Sequence, residues 1–440
     1  MKTRLPKVLL VALLGIVPAQ SFAATFSQTF PEGTITYDAN VKNHLTRTAA
    51  DDKSTLTYMA PSNEVRIKNS AIDASSYDEF KLHSPNFVLQ VWNSQIKGNN
   101  IFLGDKAQVK NYNLTDPTKA ASITAKNVTV GKGTITSSGS NGTKVKIDVE
   151  EVFSAGSSSG SLTNMDLSAK TIDIKAKRVA SSNFKAENMS FEGVGANSPV
   201  TKSNFEATGS ISLTNCNVTI SEGYSLTAKS LEVTGGKLVT EGTITVGAAV
   251  MLASRSDAAL MMLAGDGVSY DVVLNDADFD NRGTFTGSTL VEGGTLTLAA
   301  NSQSGDITMT SGEIYVTGAD VETGSLTLTG GTINFSEGAT VLLDENNTYD
   351  LSGATIVVTV DDVNNLGDSQ LLFSGASAGS IEGLDNVTVT FTDGTNPGVS
   401  GSLSVSDAGI SVTTPAVPEP STVTLSLLAL SGLAARRRRR

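Results

Sequence analysis

Apolar and polar residues alternate in short stretches along most of the chain, and one short pattern returns about every 20 residues. In this pattern a small residue and a polar residue precede apolar positions that lie two residues apart. The copies are AKNVTV from Ala125, AKTIDI from Ala169, AENMSF from Ala186, ATGSISL from Ala207 and AKSLEV from Ala228. KVKIDV from Lys144 fits between the first two copies, and GSTLVEGGTLTL from Gly287 returns as GSLTLTGGTINF from Gly324.

A repeat of this length, with alternation inside each copy, predicts an all-β chain that coils as a right-handed parallel β-helix, or solenoid. Each coil lays its strands on the coil before it and points every second side chain into one continuous core. The offset between Gly287 and Gly324 then corresponds to two coils of about 18 or 19 residues. An array of β-sandwiches is the alternative, but its hairpins favour strands about 8 to 12 residues apart with Asn-Gly turns.

The alternation also predicts which side chains of a strand are buried. In AKSLEV, Leu231 and Val233 are expected to face the core, whereas Lys229 and Glu232 are expected to face solvent. Stacked Thr, Ser and Asn side chains should join neighbouring coils through hydrogen-bonded ladders.

The repeat divides the body into segments. Residues 24–115 lack it and are predicted to form an N-terminal cap, because an uncovered solenoid end exposes unpaired strand edges. Residues 116–250 form a first solenoid section and residues 283–415 a second one. Between them, residues 251–282 interrupt the repeat and are expected to form a short helix or a loop.

Aromatic residues concentrate in the predicted cap. It contains ten of the chain's 24 aromatic residues, including the only tryptophan, Trp92, together with both histidines. The first interpretation is a small capping core. The second is a carbohydrate-stacking site around Tyr77, Phe80, Phe87 and Trp92.

The N-terminal residues predict export. MKTRLPK is positively charged, VLLVALLGIV is an apolar run of ten residues, and SFA places small residues before Ala23. This order is that of a secretory signal peptide over residues 1–23, passed through the Sec translocon and cleaved by signal peptidase after Ala23.

The C-terminal residues 416–440 read AVPEPSTVTLSLLALSGLAARRRRR and predict a second membrane element. Two prolines hold Pro418-Glu419-Pro420 extended, and residues 422–435 are 14 residues without a charge. As a helix this run spans about 21 Å against a hydrocarbon core of about 30 Å, which makes a short membrane helix. A stop-transfer cluster on the cytoplasmic side follows, made of Arg436, Arg437, Arg438, Arg439 and Arg440.

These three parts, in this order, resemble the PEP-CTERM sorting signal of exported proteins in Gram-negative bacteria. The resemblance covers residues 416–440 only and implies cleavage near Pro418-Glu419-Pro420 by an exosortase, a membrane-embedded cysteine enzyme. It also implies transient residence in the inner membrane and then transfer to the outer membrane, the cell surface or the extracellular matrix. A plain tail anchor is the alternative. The body beyond this segment resembles an autotransporter passenger in its predicted solenoid.

Charge separates the two solenoid sections. Residues 24–250 hold 22 Lys and Arg against 21 Asp and Glu, whereas residues 251–415 hold 2 against 22, within a chain whose net charge is −12. This acidity disfavours nucleic acid and anionic lipid as partners. It is compatible with solubility outside the cell, with basic partners or with divalent cations.

The sequence contains few residues that could bind a metal ion or cofactor through cysteine or histidine. One cysteine, Cys216, and two histidines exclude an internal disulfide framework and leave almost nothing for a Cys/His metal site. Asp276, Asp278 and Asp280 alternate in NDADFDNRG, which indicates either an acidic surface loop or a weak calcium site. We therefore predict no cofactor and no assigned metal ligand.

Catalysis is not predicted. The adjacent carboxylates Asp51 and Asp52, Glu150 and Glu151, and Asp361 and Asp362 should point to opposite sides of their strands unless a bulge intervenes. No GxSxG, HExxH or P-loop motif is present. The sequence therefore predicts a non-enzymatic surface or matrix protein, adhesin-like or structural, that binds extracellular polysaccharide or glycans. The alternative is a β-helical polysaccharide lyase or glycosidase.

Overall fold

The chain forms a β-solenoid of about 14 turns in the computed structural model. The structure describes residues 24–39, 45–61, 64–112, 114, 116–138, 143–157, 160–195, 199–247, 250–253, 259–262, 271–275, 277–361, 369–375, 381–393, 398–406 and 409–413. The predicted signal peptide with Ala23, the motif Pro418-Glu419-Pro420, the membrane segment and the terminal arginines lie outside these residues. Within them there is no α-helix, only short 3-10 helices at Pro117–Lys119 and Leu384–Asn386.

The strands stack in three mostly parallel faces, which we call faces 1, 2 and 3 in the order in which a turn visits them; among the described residues, the pairing of face 2 is interrupted between β24 (Thr243–Val246) and β30 (Gln303–Ser304). Most strands of face 1 are short, with apolar residues at alternate positions. They are β5 (Val65–Lys68), β8 (Leu89–Trp92), β10 (Ala107–Tyr112), β12 (Thr134–Ser138), β14 (Ser161–Thr163), β17 (Arg178–Ala180), β26 (Ala259–Met262), β28 (Ala277–Asn281), β34 (Thr332–Phe335), β37 (Thr355–Thr359) and β40 (Thr388–Thr392).

Face 2 follows face 1 across a tight corner. Its strands are β6 (Ala71–Asp73), β15 (Met165–Ser168), β18 (Asn183–Ala186), β20 (Asn204–Ala207), β22 (Ser225–Ala228), β24 (Thr243–Val246), β30 (Gln303–Ser304), β32 (Val321–Thr323), β35 (Val341–Leu342) and β38 (Gln370–Ser374). Face 3 closes each turn. Its strands are β4 (Thr55–Met59), β7 (Glu79–Leu82), β16 (Thr171–Ile174), β19 (Asn188–Glu192), β25 (Val250–Ala253), β27 (Val272–Asn275), β33 (Leu326–Leu328), β36 (Tyr349–Asp350) and β39 (Ile381–Glu382).

Seven longer strands bend around a corner and serve two faces. Early in the chain they join faces 2 and 3, as β9 (Gln95–Leu103), β11 (Ser122–Val130) and β13 (Val145–Ala155). Later they join faces 3 and 1, as β21 (Ser210–Ile220), β23 (Ser230–Thr240), β29 (Thr289–Leu298) and β31 (Ile307–Val316). Residues with positive φ lie at the later bends: Asn215 in β21 has φ +53°. Gly236 in β23 has φ +79°, and a Cβ there would meet the Cys216 carbonyl oxygen at 2.2 Å.

The two ends of the stack change from parallel to antiparallel pairing. At the N-terminus, β1 (Ala24–Phe30) pairs with β2 (Gly33–Ala39), and β3 (Thr46–Ala49) pairs with β4. At the C-terminus, β41 (Val399–Ser400) pairs with β40, while β42 (Ser402–Ser406) and β43 (Gly409–Thr413) extend face 2 from β38. Parallel pairing already begins at β4 with β7 and at β5 with β8. The antiparallel cap is therefore much shorter than the predicted range 24–115.

The five copies of the repeat that begin with alanine occupy equivalent positions in their turns of the solenoid, as predicted. Their first residues, Ala125, Ala169, Ala186, Ala207 and Ala228, are all buried at the corner between faces 2 and 3. The apolar residues that follow enter face 3, and side chains of all three faces form one continuous core. KVKIDV differs from the prediction, because it lies on face 2, and VFSA from Val152 pairs with NVTV of the first copy instead.

The described parts of residues 251–282 continue the stack. β25 and β27 lie in register between β23 and β29 on face 3, and β26 and β28 do the same on face 1. The sequence predicts a short helix or loop for residues 251–282, but the described residues of this range form four strands instead, and residues 254–258, 263–270 and 276 lie outside the described part of the chain. The core and two of the three ladders thus pass through the segment without a break.

Polar ladders join successive turns, as predicted. Asn183 donates to Asp166 in the turn before it at 2.6 Å, and Asn204 donates to Asn183 at 3.0 Å. Asn127 donates to Asn100 at 2.9 Å on face 3. These bonds fix the register between turns where outward side chains contribute no apolar burial.

Candidate functional site on the outer surface

The aromatic residues of the predicted stacking site do not form one surface. Phe80 points into the core from β7, Tyr77 is buried, and Phe87 packs against the core as a partly buried residue. Trp92 alone lies on the outward side of its strand, because Leu89 and Val91 occupy the inward positions of β8. The stacking site around these four residues is therefore not assembled, and the first three serve the core.

Tyr77 belongs to a buried polar network under the N-terminal hairpins. Glu32, with 1% of its side chain exposed, accepts a hydrogen bond from Arg47 Nε at 3.0 Å and pairs with the same guanidinium through Nη2. Arg47 also donates to the Tyr77 hydroxyl at 2.9 Å, and Tyr58 donates to Glu32 at 3.2 Å. Burial is the largest single influence and raises the pKa of Glu32, but the hydrogen bond and charge of Arg47, together with hydrogen bonds from the backbone and Tyr77, lower it by more in sum, so the pKa lies below its ordinary value of 4.5. This network fastens the cap to the first turns.

Trp92 is the centre of an aromatic and cationic cluster on face 1. Its members come from three successive turns and are Arg66 and Lys68 on β5, Trp92 on β8, and Lys110 and Tyr112 on β10. The strand register places Trp92 directly between Lys68 and Lys110. We call these five residues the Trp92 cluster.

The distances within the Trp92 cluster show close packing. The Arg66 guanidinium and the Lys110 ammonium each lie 4.9 Å from the indole centroid, and the Lys68 ammonium lies 5.4 Å away. The Tyr112 ring stacks on Trp92 with centroids 4.2 Å apart and an interplanar angle of 30°. Cations attracted to the indole face cover most of it, which leaves Trp92 8% exposed, while Tyr112 remains 39% exposed.

Electrostatics in the Trp92 cluster favour an anionic ligand. Arg66 is paired with Glu64 at 2.7 Å, but among the described residues no carboxylate lies within ion-pair distance of Lys110. Burial lowers the pKa of the Lys110 ammonium, and repulsion from Arg66 adds to this effect while attraction to Glu64 opposes it. An anion beside Lys110 would stabilise its charge.

Two further atoms of this surface lack partners. The Trp92 indole Nε1 and the Gln90 amide Oε1 are buried and make no hydrogen bond. Gln90 is 9% exposed and stacks between Arg66 and Gln108 in the same face. One donor and one acceptor are thus left unsatisfied within two residues of each other on β8.

A cleft of about 540 Å³ adjoins the cluster at the corner between faces 1 and 2. Asn69 and Asn93, which directly follow Lys68 and Trp92, line it together with Gln95, Asp116 and Lys119. The Asn93 side chain donates to the Tyr112 carbonyl at 3.0 Å and accepts from the Tyr112 amide at 2.9 Å. These two bonds hold the exposed tyrosine at the rim of the cleft.

Of the carboxylate pairs, Glu150 and Glu151 lie at a strand irregularity beside an open cleft, with Glu150 exposed and Glu151 partly buried. They lie where β13 shifts register against β11 by an extra residue, which is the bulge that could bring adjacent carboxylates together. Glu150 lines an open cleft of about 580 Å³ with Lys97 and Asp148, whereas Glu151 pairs with Lys126 at 3.4 Å.

The other two pairs have simpler surroundings. Asp52 accepts a hydrogen bond from the Ser54 amide at 2.9 Å in an exposed turn, and this bonding lowers its pKa. Asp361 is exposed at the end of β37, and Asp362 lies outside the described residues.

The proposed calcium residues are only partly described. Asp278 is exposed on β28, and Asp280 is held by Arg282 at 2.8 Å, while Asp276 lies outside the described residues. In the part of the chain that the structure describes, no three His, Cys, Asp or Glu side chains are grouped to hold a metal ion. Cys216 is buried at the corner between faces 3 and 1, and burial raises the pKa of its thiol to about 11.

The described residues form a long β-solenoid with a polar exterior, and the Trp92 cluster is a cationic aromatic patch on its face 1. Residues 416–440 match the PEP-CTERM protein-sorting motif. This match implies that the chain is exported, processed by an exosortase and directed to the cell surface. No curated protein and no solved structure matches the chain. Within the described residues, no helix has the length and apolar character needed to cross a membrane.

Proposed function

We propose that the chain is a non-enzymatic surface or matrix protein whose solenoid acts as an adhesin-like or structural element. The observation that carries this proposal is the combination of a C-terminal sorting motif with a stack of parallel sheets whose outer side is long, shallow and polar. Such surfaces suit extended partners, and in an exported protein these are polysaccharides or glycans. The coil is right-handed, in keeping with the preferred hand of parallel β connections.

The route to the surface follows from the two terminal segments. The signal peptide brings the chain to the Sec translocon and is removed after Ala23. The short apolar helix of residues 422–435 then holds the chain in the inner membrane, with the terminal arginines on the cytoplasmic side. A helix shorter than the hydrocarbon core makes a transient anchor, which suits a segment that exosortase removes.

The sorting step can be tested by replacing Pro418, Glu419 and Pro420 together with alanine. Export should continue, because the signal peptide is unchanged, but an uncleaved form should accumulate in the inner membrane. Cell fractionation with intact-mass measurement distinguishes the two forms. Pro415→Ala, which alters a neighbouring proline outside the motif, is the control and should be processed normally. Normal processing of the triple variant would show that the motif is not the sorting signal.

The non-enzymatic role can be tested on the full chain with a panel of polysaccharides. We expect multivalent association with glycans or cells and no new reducing ends or unsaturated products after prolonged incubation. The enzyme alternative has one observation in its favour, the placement of Glu150 and Glu151 at a bulge beside an open cleft. Depolymerisation that is lost in Glu150→Gln or Glu151→Gln but kept in Glu79→Gln would overturn the proposal.

A further inference from the structure

We infer that the Trp92 cluster is a binding site for acidic polysaccharide, in which Lys110 receives a sugar carboxylate and Tyr112 stacks on a sugar ring. This inference rests on the proposed function, since it names the class of glycan that the solenoid binds. It also assigns a place for that glycan, the outer side of face 1 at β5, β8 and β10.

The charge arrangement calls for a carboxylate. The Lys110 ammonium lies beside the stacked pair of aromatic rings, 4.9 Å from the Trp92 centroid and 5.8 Å from the Tyr112 centroid, with no carboxylate in ion-pair distance among the described residues. Burial and the nearby Arg66 both lower the pKa of its ammonium. A ligand carboxylate would reverse this effect, because an opposite charge in a partly desolvated site stabilises the ionised form.

The aromatic arrangement calls for a ring-shaped ligand with apolar C–H groups. Tyr112 is exposed, yet its ring is fixed by stacking on Trp92 and its backbone is fixed by the Asn93 side chain. A rigid, exposed aromatic ring binds a sugar face with little loss of side-chain entropy. A free phosphate or sulfate ion would leave this surface unused.

The two buried atoms without hydrogen-bond partners favour a ligand with hydroxyl groups. Trp92 Nε1 is a donor and Gln90 Oε1 is an acceptor, and a sugar hydroxyl can serve both. Both atoms are covered in the free protein, so a ligand reaches them only when the side chains above them move. A sulfate ion could accept from the indole but could not donate to the amide oxygen.

Charge over the whole chain favours a polysaccharide over nucleic acid. The net charge is −12, and the acidic residues concentrate in the second solenoid section. A nucleic acid carries one phosphate per nucleotide on each strand and depends on many basic contacts, whereas the cluster has three basic side chains with Glu64 beside them. A uronic acid polymer can place single carboxylates at Lys110 without running along the acidic section.

The test measures binding of the full chain to polygalacturonate oligomers and to the same oligomers with their carboxyl groups reduced to alcohols. Lys110→Gln and Tyr112→Ala should each weaken binding of the acidic oligomer about tenfold, the factor that corresponds to about 1.4 kcal/mol. Lys185→Gln and Tyr315→Ala are matched controls, because Lys185 is an exposed lysine on face 2 outside both clefts and Tyr315 is 38% exposed in the acidic section. Thermal unfolding should be unchanged in all four variants, since none of these side chains is in the core.

The outcomes separate this inference from the function on which it rests. Weaker binding in the two cluster variants, unchanged binding in the controls and weak binding of the reduced oligomer would support the site. Equal binding by all variants, equal binding of the reduced oligomer, or tighter binding of single-stranded DNA than of the oligomer would overturn it. If the chain binds glycans without breaking them down and the two cluster variants bind as well as wild type, the site is refuted but the proposed function is not. Depolymerisation of the glycan would refute the proposed function.

Discussion

Leu231→Asp should unfold the turns around β23. Leu231 is 1% exposed and lies in the core of face 3, paired with Ile211 in the turn before and Val250 in the turn after. An aspartate there has no partner for its charge and leaves a cavity, and we expect a loss of about 4 kcal/mol or more. Hydrogen exchange should detect it as lost protection in β21, β23 and β25, because neighbouring turns of a solenoid unfold together.

Glu232→Lys provides the control within the same strand. Glu232 is exposed and pairs with Ser212 and the exposed Met251, so the replacement should change the unfolding free energy by less than about 0.5 kcal/mol. The two substitutions lie at adjacent positions of β23, but the Leu231 side chain points into the core and the Glu232 side chain points to solvent. If both gave the same loss of protection, the register of β23 would be wrong.

Glu32→Gln should loosen the N-terminal cap. The substitution leaves Arg47 without its counter-charge under the first turns, and removal of one partner from a buried ion pair costs about 3 to 5 kcal/mol. Because Arg47 keeps 20% of its side chain exposed, we expect a loss of about 2 to 3 kcal/mol, below that range. Fluorescence of Trp92, the single tryptophan, reports on these turns and should show a lower denaturant midpoint.

The pH dependence of this loss follows from the lowered pKa of Glu32. Its carboxylate contributes stability above the ordinary value of 4.5, and the contribution disappears as the pH falls through the lowered pKa. The difference between wild type and Glu32→Gln should therefore be full at pH 7 and shrink below pH 4.5. Glu79→Gln, which alters an exposed pair with Lys81, should cost no more than about 1 kcal/mol. Equal effects of the two variants would contradict the role of Glu32.

The central part of the fold could be predicted from the sequence because its turns have nearly equal lengths. In β21 and β23 the apolar residues recur at period 2 and the copies lie about 20 residues apart, which fixes both the face and the stacking partner. The prediction for Leu231, Val233 and Glu232 is confirmed for this reason. Handedness and the roles of the terminal segments stay predictions.

The first turns could not be predicted in the same way. From Lys68 to Trp92 is 24 residues and from Trp92 to Lys110 only 18, so no fixed period aligns the members of the cluster. The connections between strands take up this variation, and the sequence of a strand does not show which outward residue will lie above it. Composition indicates that this region is rich in aromatic residues. Only the stacking of turns shows that Trp92 and Tyr112 lie together on the outer side and that Phe80 lies in the core.

Alternation alone could not show that Glu150 and Glu151 lie at a bulge, the exception that the prediction for adjacent carboxylates allowed. Strict period 2 would send adjacent residues to opposite sides of a strand, but β13 bends and gains a residue there as it passes from face 2 to face 3. Such an irregularity arises from the corner geometry of three stacked strands. A single sequence carries no clear signal for it.

The continuous ladders of faces 1 and 3 set the length of the solenoid. At about 4.8 Å for each strand, the stack from β8 to the last turn measures about 60 Å, and the pairing of faces 1 and 3 continues through the described strands between Val250 and Asn281. If the chain is attached near its C-terminus, the acidic section stands next to the anionic cell surface and the Trp92 cluster stands at the distal tip. That separation is several times the Debye length of about 8 Å at physiological ionic strength. In that arrangement, a charged ligand at the distal tip would be screened from the charge of the surface that carries the chain.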